Sequence, residues 1–171
     1  MYLKAIKMRK NEEVILNCTS NKAIKKRLIN EYKLLFDTYD DIEVKFTENN
    51  LVFSVLEIIN NNKFVYGFKI EDNYPFVPPK IFYQNRPYID YLKIENMNIL
   101  NQLKSNFGID CFYCSSYACK NNWSPAVTIN HIINEIKKFK NYKNYMLYKL
   151  FSIKIKDKYL IDDIDILSWI F

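Results

Sequence analysis

Cys111, Cys114 and Cys119 all lie within residues 108–123. A thiolate is a strong nucleophile and a soft metal ligand, so thiols gathered in one loop are candidates for chemistry. Upstream, the Asn96-Met97-Asn98-Ile99 stretch offers amide side chains, whose N–H groups can stabilise charge developing on an oxygen or brace a loop. Donors of this kind contribute about 3 kcal/mol in acyl transfer. In so asparagine-rich a chain, a plain surface asparagine is the competing reading.

Three chemistries fit these residues. One cysteine can carry an acyl group. Zinc can be held by Cys111, Cys114, Cys119 and His131, opening with a suitable Cys-x-x-Cys. The same Cys111 and Cys114 can also form a thiol–disulfide pair. The third spacing is short for zinc, and His131 falls beside an apolar helix stripe, where a lone histidine has a structural or surface role. No suitable strand precedes Cys111 for a thioredoxin-like pair. Neither a metal nor any other cofactor is therefore expected.

The elements that position these residues follow from periodicity. Residues 1–19 mix apolar and basic positions and then turn charged at Arg9-Lys10-Asn11-Glu12-Glu13. They fit a mobile tail, a first strand through Val14-Ile15-Leu16, or a docking segment with Met1, Leu3, Ile6 and Met8 as apolar anchors. Ile24, Leu28, Tyr32 and Leu35 predict an amphipathic helix over 21–36, with Ser20 as its cap. Ile42/Val44/Phe46, Leu51/Phe53/Val55 and Phe64/Tyr66/Phe68/Ile70 alternate, and short asparagine turns separate them. With Ile81-Phe82-Tyr83 they predict a four-stranded antiparallel meander.

Residues 84–122 show no sustained period, and such a long irregular segment points to function or disorder. Ser124 and Pro125 then predict a helix start, followed by the stripe Ile129, Ile132, Ile133 and Ile136. Met146-Leu147-Leu150-Phe151 and Ile161-Ile164-Leu167 predict two short closing helices.

With 171 residues, 49% hydrophobic, the chain is sized for one domain with one core. The expected division is an extension over 1–19 and a single α+β domain over 20–171. A net charge of +6 favours acidic partners. Without an arginine-rich run, nucleic acid is not expected among them. No apolar run approaches a membrane span, so no membrane partner is expected either. The first residues have too short an apolar core for a signal peptide, and the four cysteines then point to free thiols in a reducing compartment. The expected location is cytoplasmic, nuclear or both.

Helix, meander, cysteine-bearing loop, helix is an order that resembles the ubiquitin-conjugating enzyme family. Tyr74-Pro75-Phe76 with Pro78-Pro79-Lys80-Ile81 is similar to the family's proline-rich lead-in to its fourth strand. Trp123-Ser124-Pro125-Ala126 is similar to its tryptophan-serine-proline-alanine segment, and Gly108 stands before Cys111 at the family's glycine-x-x-cysteine spacing. The resemblance covers roughly residues 20–140. The family's His-Pro-Asn triplet is not intact. Asn98 preserves its asparagine in one alignment, and Arg86-Pro87-Tyr88-Ile89 preserves its proline in the other. Asn98 lies nearer the cysteine and is assigned the role. The gaps before the cysteine and from the cysteine to the tryptophan are expanded, and the C-terminal segment is not recognisably the family's.

The resemblance implies an ATP-dependent pathway. An activating enzyme passes a modifier to a cysteine as a thioester, and a target lysine then attacks it. Cys111 is the implied nucleophile, with Cys114, nearer the family's distance to the tryptophan, as the alternative. Phe76, Ser124 and Pro125 match positions that receive a RING-type ligase; turn packing, capping and helix initiation are their plain roles. The N-terminal segment, Asp41–Phe46 and Gly67–Ile70 resemble the neddylation-type branch, whereas Ser124-Pro125-Ala126 is closer to ubiquitin enzymes. Ubiquitin and a Nedd-type protein both remain candidate modifiers. An inactive variant of the fold, used as a binding module, is the alternative that the damaged triplet and expanded loops allow.

Overall fold

The computed structural model describes residues 2–47, 50–94 and 96–159, with side chains between residues 6 and 153. The described residues form an α+β fold with one antiparallel sheet. By contacts the chain divides into two units: Met1–Lys93 with Cys111–Glu135, and Ile94–Asp110 with Ile136–Phe171.

The first unit opens with α1 (Tyr2–Asn17) and α2 (Lys22–Thr38). The N-terminal segment is thus helical, neither a tail nor a strand. Two side chains explain why it stays in place. Ile15 is fully buried, which contributes about 1.5–3 kcal/mol. Buried Asn11 donates through Nδ2 to Tyr32 Oη (3.2 Å) and Ile42 O (3.1 Å), tying α1 to α2 and to the first strand. Asn21, rather than Ser20, caps α2: its Oδ1 accepts from Ala23 N (2.9 Å) and Ile24 N (3.3 Å).

The strands run β1 (Asp41–Thr47), β2 (Asn50–Ile59), β3 (Asn62–Ile70), β4 (Lys80–Tyr83) and β5 (Arg86–Pro87), each paired with the next. The predicted meander is present, with one short strand more. Asn60-Asn61 and Gln84-Asn85 close the β2–β3 and β4–β5 hairpins, all four at positive φ, as two-residue turns require. Leu28, Tyr32 and Leu35 of α2 are buried, as are Phe53 and Phe68 of the sheet. Gly67 sits opposite Phe82 across β3–β4, and a Cβ there would lie 3.3 Å from the Phe82 Cβ.

Residues 84–122 are not irregular throughout. Besides β5 they hold α3 (Tyr88–Leu92) in the first unit and α4 (Met97–Phe107) in the second. Asn96 caps α4 through Oδ1, accepting from Asn98 N (2.9 Å) and Ile99 N (3.3 Å). Gly108 ends it at φ +64, in the left-handed region glycine adopts freely.

Helix α5 spans Ile129–Tyr159. Met146, Leu147, Leu150 and Phe151 continue it rather than forming a separate short helix. The second predicted closing pattern, Ile161-Ile164-Leu167, lies outside the described residues. In the second unit, Phe107 stacks on Tyr142 with ring centroids 4.1 Å apart and meets Tyr145 edge-on at 5.6 Å.

Candidate functional site: a thiol turn and two tethered loops

Cys111 begins a single helical turn. Its carbonyl accepts from Ser115 N at 3.0 Å, and its Sγ accepts from Cys114 N at 3.4 Å. The sulfur thus occupies the place of an N-cap oxygen. That backbone N–H is the main reason the Cys111 pKa lies below the ordinary thiol value; partial burial works the other way. Cys114 is exposed, and its pKa is raised first by its hydrogen bond to the Cys111 sulfur. Cys111 is half-buried and Cys119 buried. All three are free thiols. A lowered pKa with partial exposure is the condition for a reactive cysteine, and Cys111 meets it.

The chain just after the turn is held by Glu135, a buried acid on α5. Its carboxylate accepts from Ser116 Oγ (2.5 Å), Tyr117 N (2.8 Å) and Tyr88 Oη (3.3 Å). Asn122 Nδ2 donates to the Cys114 carbonyl. The Tyr88 hydroxyl is kept protonated by burial and by the neighbouring carboxylate. Beside the turn runs a groove of about 510 Å³, walled by Pro78, Pro79, Ile81 and Tyr88, with Tyr113 and Lys120 from the thiol stretch.

Two further loops of the first unit are tied to one another. Trp123 Nε1 donates to Pro75 O at 2.7 Å. Tyr74 Oη donates to Glu31, which is 3% exposed. Glu31 also accepts from Arg27 Nε (2.5 Å) and from Ile129 N (3.0 Å). Arg27 Nη2 in turn donates to Val127 O at 2.7 Å. A buried carboxylate needs such a set of donors to offset its lost hydration. On this support stand Phe76, 79% exposed, and the exposed Ser124 and Pro125.

The helix does not start at Pro125 as predicted. Pro125-Ala126 form a turn closed by Val127 N to Ser124 O at 3.0 Å, and α5 begins at Ile129. The cause is tertiary: Arg27 takes the Val127 carbonyl, and Glu31 takes the Ile129 N–H. Thr128 and His131 cap the helix reciprocally. His131 N donates to Thr128 Oγ1 (3.3 Å), and Thr128 N donates to His131 Nδ1 (3.1 Å). The histidine is exposed and serves the backbone. Among the described residues no group of three or more His, Cys, Asp or Glu side chains is arranged to hold a metal, so Cys111, Cys114, Cys119 and His131 do not form the zinc set.

The remaining predicted positions are placed as follows. Asn98 is exposed on α4 in the second unit, and its backbone N–H is taken by the Asn96 cap. Arg86-Pro87 end the sheet as β5, and the Tyr88 ring is fully buried. Ile6 is 48% exposed on α1. Leu3 lies on α1 with its side chain outside the described residues, as is all of Met1. No helix among the described residues is long and apolar enough to cross a membrane.

Glu31, Glu135, Arg27 and Asn122 were not foreseen. The two acids carried a signal: Glu31 falls in phase with Leu28 and Leu35, and Glu135 with Ile132 and Phe139, so each puts a charge on a buried helix stripe. Asn122 carried none. Compared with protein-family models, curated proteins and solved structures, the chain gives no match.

Proposed function

We propose that this chain is a conjugating enzyme of the ubiquitin-like modifier pathway, with a ubiquitin-conjugating arrangement of its sheet and helices. Cys111 carries the modifier's C-terminus as a thioester and passes it to a target lysine. The observation that carries this reading is the Cys111 sulfur itself: part-exposed, capping a turn, and held as thiolate more readily than an ordinary thiol. Attack on an activated acyl group needs that thiolate. A groove of about 510 Å³ adjoins the turn at Tyr113, and neither Cys111 nor Cys114 lines it. Phe76 beside Ser124 and Pro125 forms an exposed surface on a buried support, suited to a RING-type ligase. Ile6 on α1 is an anchor for the activating enzyme, as Met1 and Leu3 are by sequence. The resemblance of residues 1–13 favours a Nedd-type modifier over ubiquitin.

Arg86-Pro87-Tyr88 supports a second reading. If this segment stands where the family has His-Pro-Asn, a buried tyrosine replaces the amide. The chain is then a binding module that keeps the Phe76 surface without the transfer step. The deciding experiment incubates the protein with activating enzyme, ATP and each modifier in turn, and looks for an adduct that a thiol reductant removes. An adduct lost in Cys111→Ser and kept in Cys114→Ser supports the thioester assignment. No adduct with either modifier leaves the binding module.

A further inference from the structure

We propose that Cys111 and Cys114 form a dithiol–disulfide couple, with Cys111 as the attacking thiol and Cys114 as the resolving thiol, oxidised by a small-molecule disulfide such as glutathione disulfide. The couple is independent of the thioester reading, because it needs no activating enzyme and no modifier.

The geometry carries it. The two residues sit three apart on one turn, closed by Ser115 N to Cys111 O at 3.0 Å. Helical spacing of this kind puts the Cα atoms about 5 Å apart, inside the range a disulfide spans. Cys114 N already donates to the Cys111 sulfur at 3.4 Å, so that sulfur lies over the backbone of its partner. The turn is braced by Asn122 at the Cys114 carbonyl, and the residues that follow it, Ser116 and Tyr117, by Glu135. Both thiols are free, and neither is buried. Cys119, the third thiol of the stretch, is 8% exposed.

The division of labour follows from the two environments. A backbone N–H favours thiolate at Cys111, and the hydrogen bond to that sulfur keeps Cys114 protonated. The Cys111 thiolate attacks one sulfur of the small disulfide. A protein–glutathione S–S bond forms, the original S–S bond breaks, and one glutathione thiolate leaves. Cys114 then loses its proton and attacks the Cys111 sulfur. The Cys111–Cys114 bond forms as the second glutathione thiolate leaves. Two protein thiols are oxidised by two electrons, one disulfide is reduced to two thiols, and the two protein protons end on glutathione. In a conjugating enzyme this step removes both candidate nucleophiles at once and is reversed by thiols.

The test equilibrates the full chain with graded ratios of glutathione and glutathione disulfide, quenches in acid, alkylates, and maps the peptides by mass. Cys111 and Cys114 are expected to lose alkylation together and to appear joined, with full reversal by excess glutathione. Cys114→Ser is expected to stop at glutathione on Cys111. Cys111→Ser is expected to slow oxidation of Cys114 by at least about tenfold. The proposal is overturned if Cys111 and Cys114 stay alkylable in glutathione disulfide alone. It is equally overturned if either pairs with Cys119 or a second chain, or if Cys114→Ser carries no glutathione on Cys111. A missing thioester adduct alongside an intact couple counts against the conjugating function alone.

Discussion

The indole of Trp123 and the carbonyl of Pro75 are joined by a 2.7 Å hydrogen bond that spans 48 residues of sequence. It fastens the loop after β3 to the loop before α5, and both loops carry exposed candidate contacts. In Trp123→Phe the ring volume largely stays, but the Pro75 carbonyl loses its donor. A loss of about 1–3 kcal/mol in urea unfolding is expected, with faster hydrogen exchange at Phe76 and Val77, whose N–H groups both reach the Asn73 carbonyl. An unchanged unfolding midpoint would show that the bond does not hold the loops.

Phe76 stands on that fastening without taking part in it. At 79% exposure its ring has little burial to lose. Phe76→Ala is expected to leave stability within about 0.5 kcal/mol while weakening binding to a RING-type domain at least about tenfold, as for an interface anchor. Titration of both proteins against such a domain by calorimetry checks this. Equal affinities would remove Phe76 from the proposed interface.

Glu135 connects helix α5 to the thiol turn through Ser116 Oγ and Tyr117 N. Glu135→Gln keeps the shape but brings an NH₂ group against donors. A cost of about 1–3 kcal/mol is expected, with the Tyr117 amide exchanging faster than in the parent. Slow exchange persisting at Tyr117 would mean the turn holds itself.

How much of this could be read beforehand differs by element. The sheet was legible because apolar residues alternate at Ile42/Val44 and at Tyr66/Phe68/Ile70, and the β2–β3 turn is Asn60-Asn61, residues that accept positive φ. Helix α4 was missed although both ends were marked, by Asn96 and Gly108, and although Leu100, Leu103 and Phe107 repeat at helical spacing; the stripe is short, and only Leu103 within it is buried. The start of α5 was misplaced because Ser124-Pro125 fits a turn as well as a helix start. Arg27 and Glu31, about a hundred residues away, decide between the two. Thiol clustering was visible in sequence, but the capping of Cys111 by the Cys114 N–H was not, since it depends on backbone torsions.

Gly108 tests whether the glycine-x-x-cysteine spacing serves chemistry or a helix end. Its φ of +64 and its N–H bond to the Lys104 carbonyl at 3.0 Å make it the C-terminal cap of α4. No neighbouring atom lies within 4 Å of a Cβ built there, so the cost of a side chain is conformational. Gly108→Ala is expected to lose about 1 kcal/mol and Gly108→Asn less, because asparagine tolerates the left-handed region. Chemical denaturation of the three proteins gives the order. If asparagine is the worse of the two, the cap is not what the glycine supplies.

Cys111 and Cys114 should separate on a pH axis. Iodoacetamide alkylation, followed residue by residue, is expected to rise at lower pH for Cys111 than for Cys114. The main cause at Cys111 is the Cys114 backbone N–H, which Cys114→Ala retains. In that variant Cys111 should still titrate below the ordinary thiol value of 9.0, with a modest upward move for the lost side-chain partner. The sign can be checked by unfolding. A pKa lowered in the folded chain means that folding favours the thiolate. The contribution of Cys111 to stability is then present above the ordinary thiol pKa and is lost as pH falls through the lowered one. Cys114, raised in the folded chain, works in the opposite sense, so Cys114→Ala isolates the Cys111 effect. Urea should therefore move the Cys111 inflection upward, to the ordinary value. An inflection at the same pH in folded and unfolded protein would mean that the turn does nothing for the sulfur, and the case for Cys111 as nucleophile would reduce to its exposure.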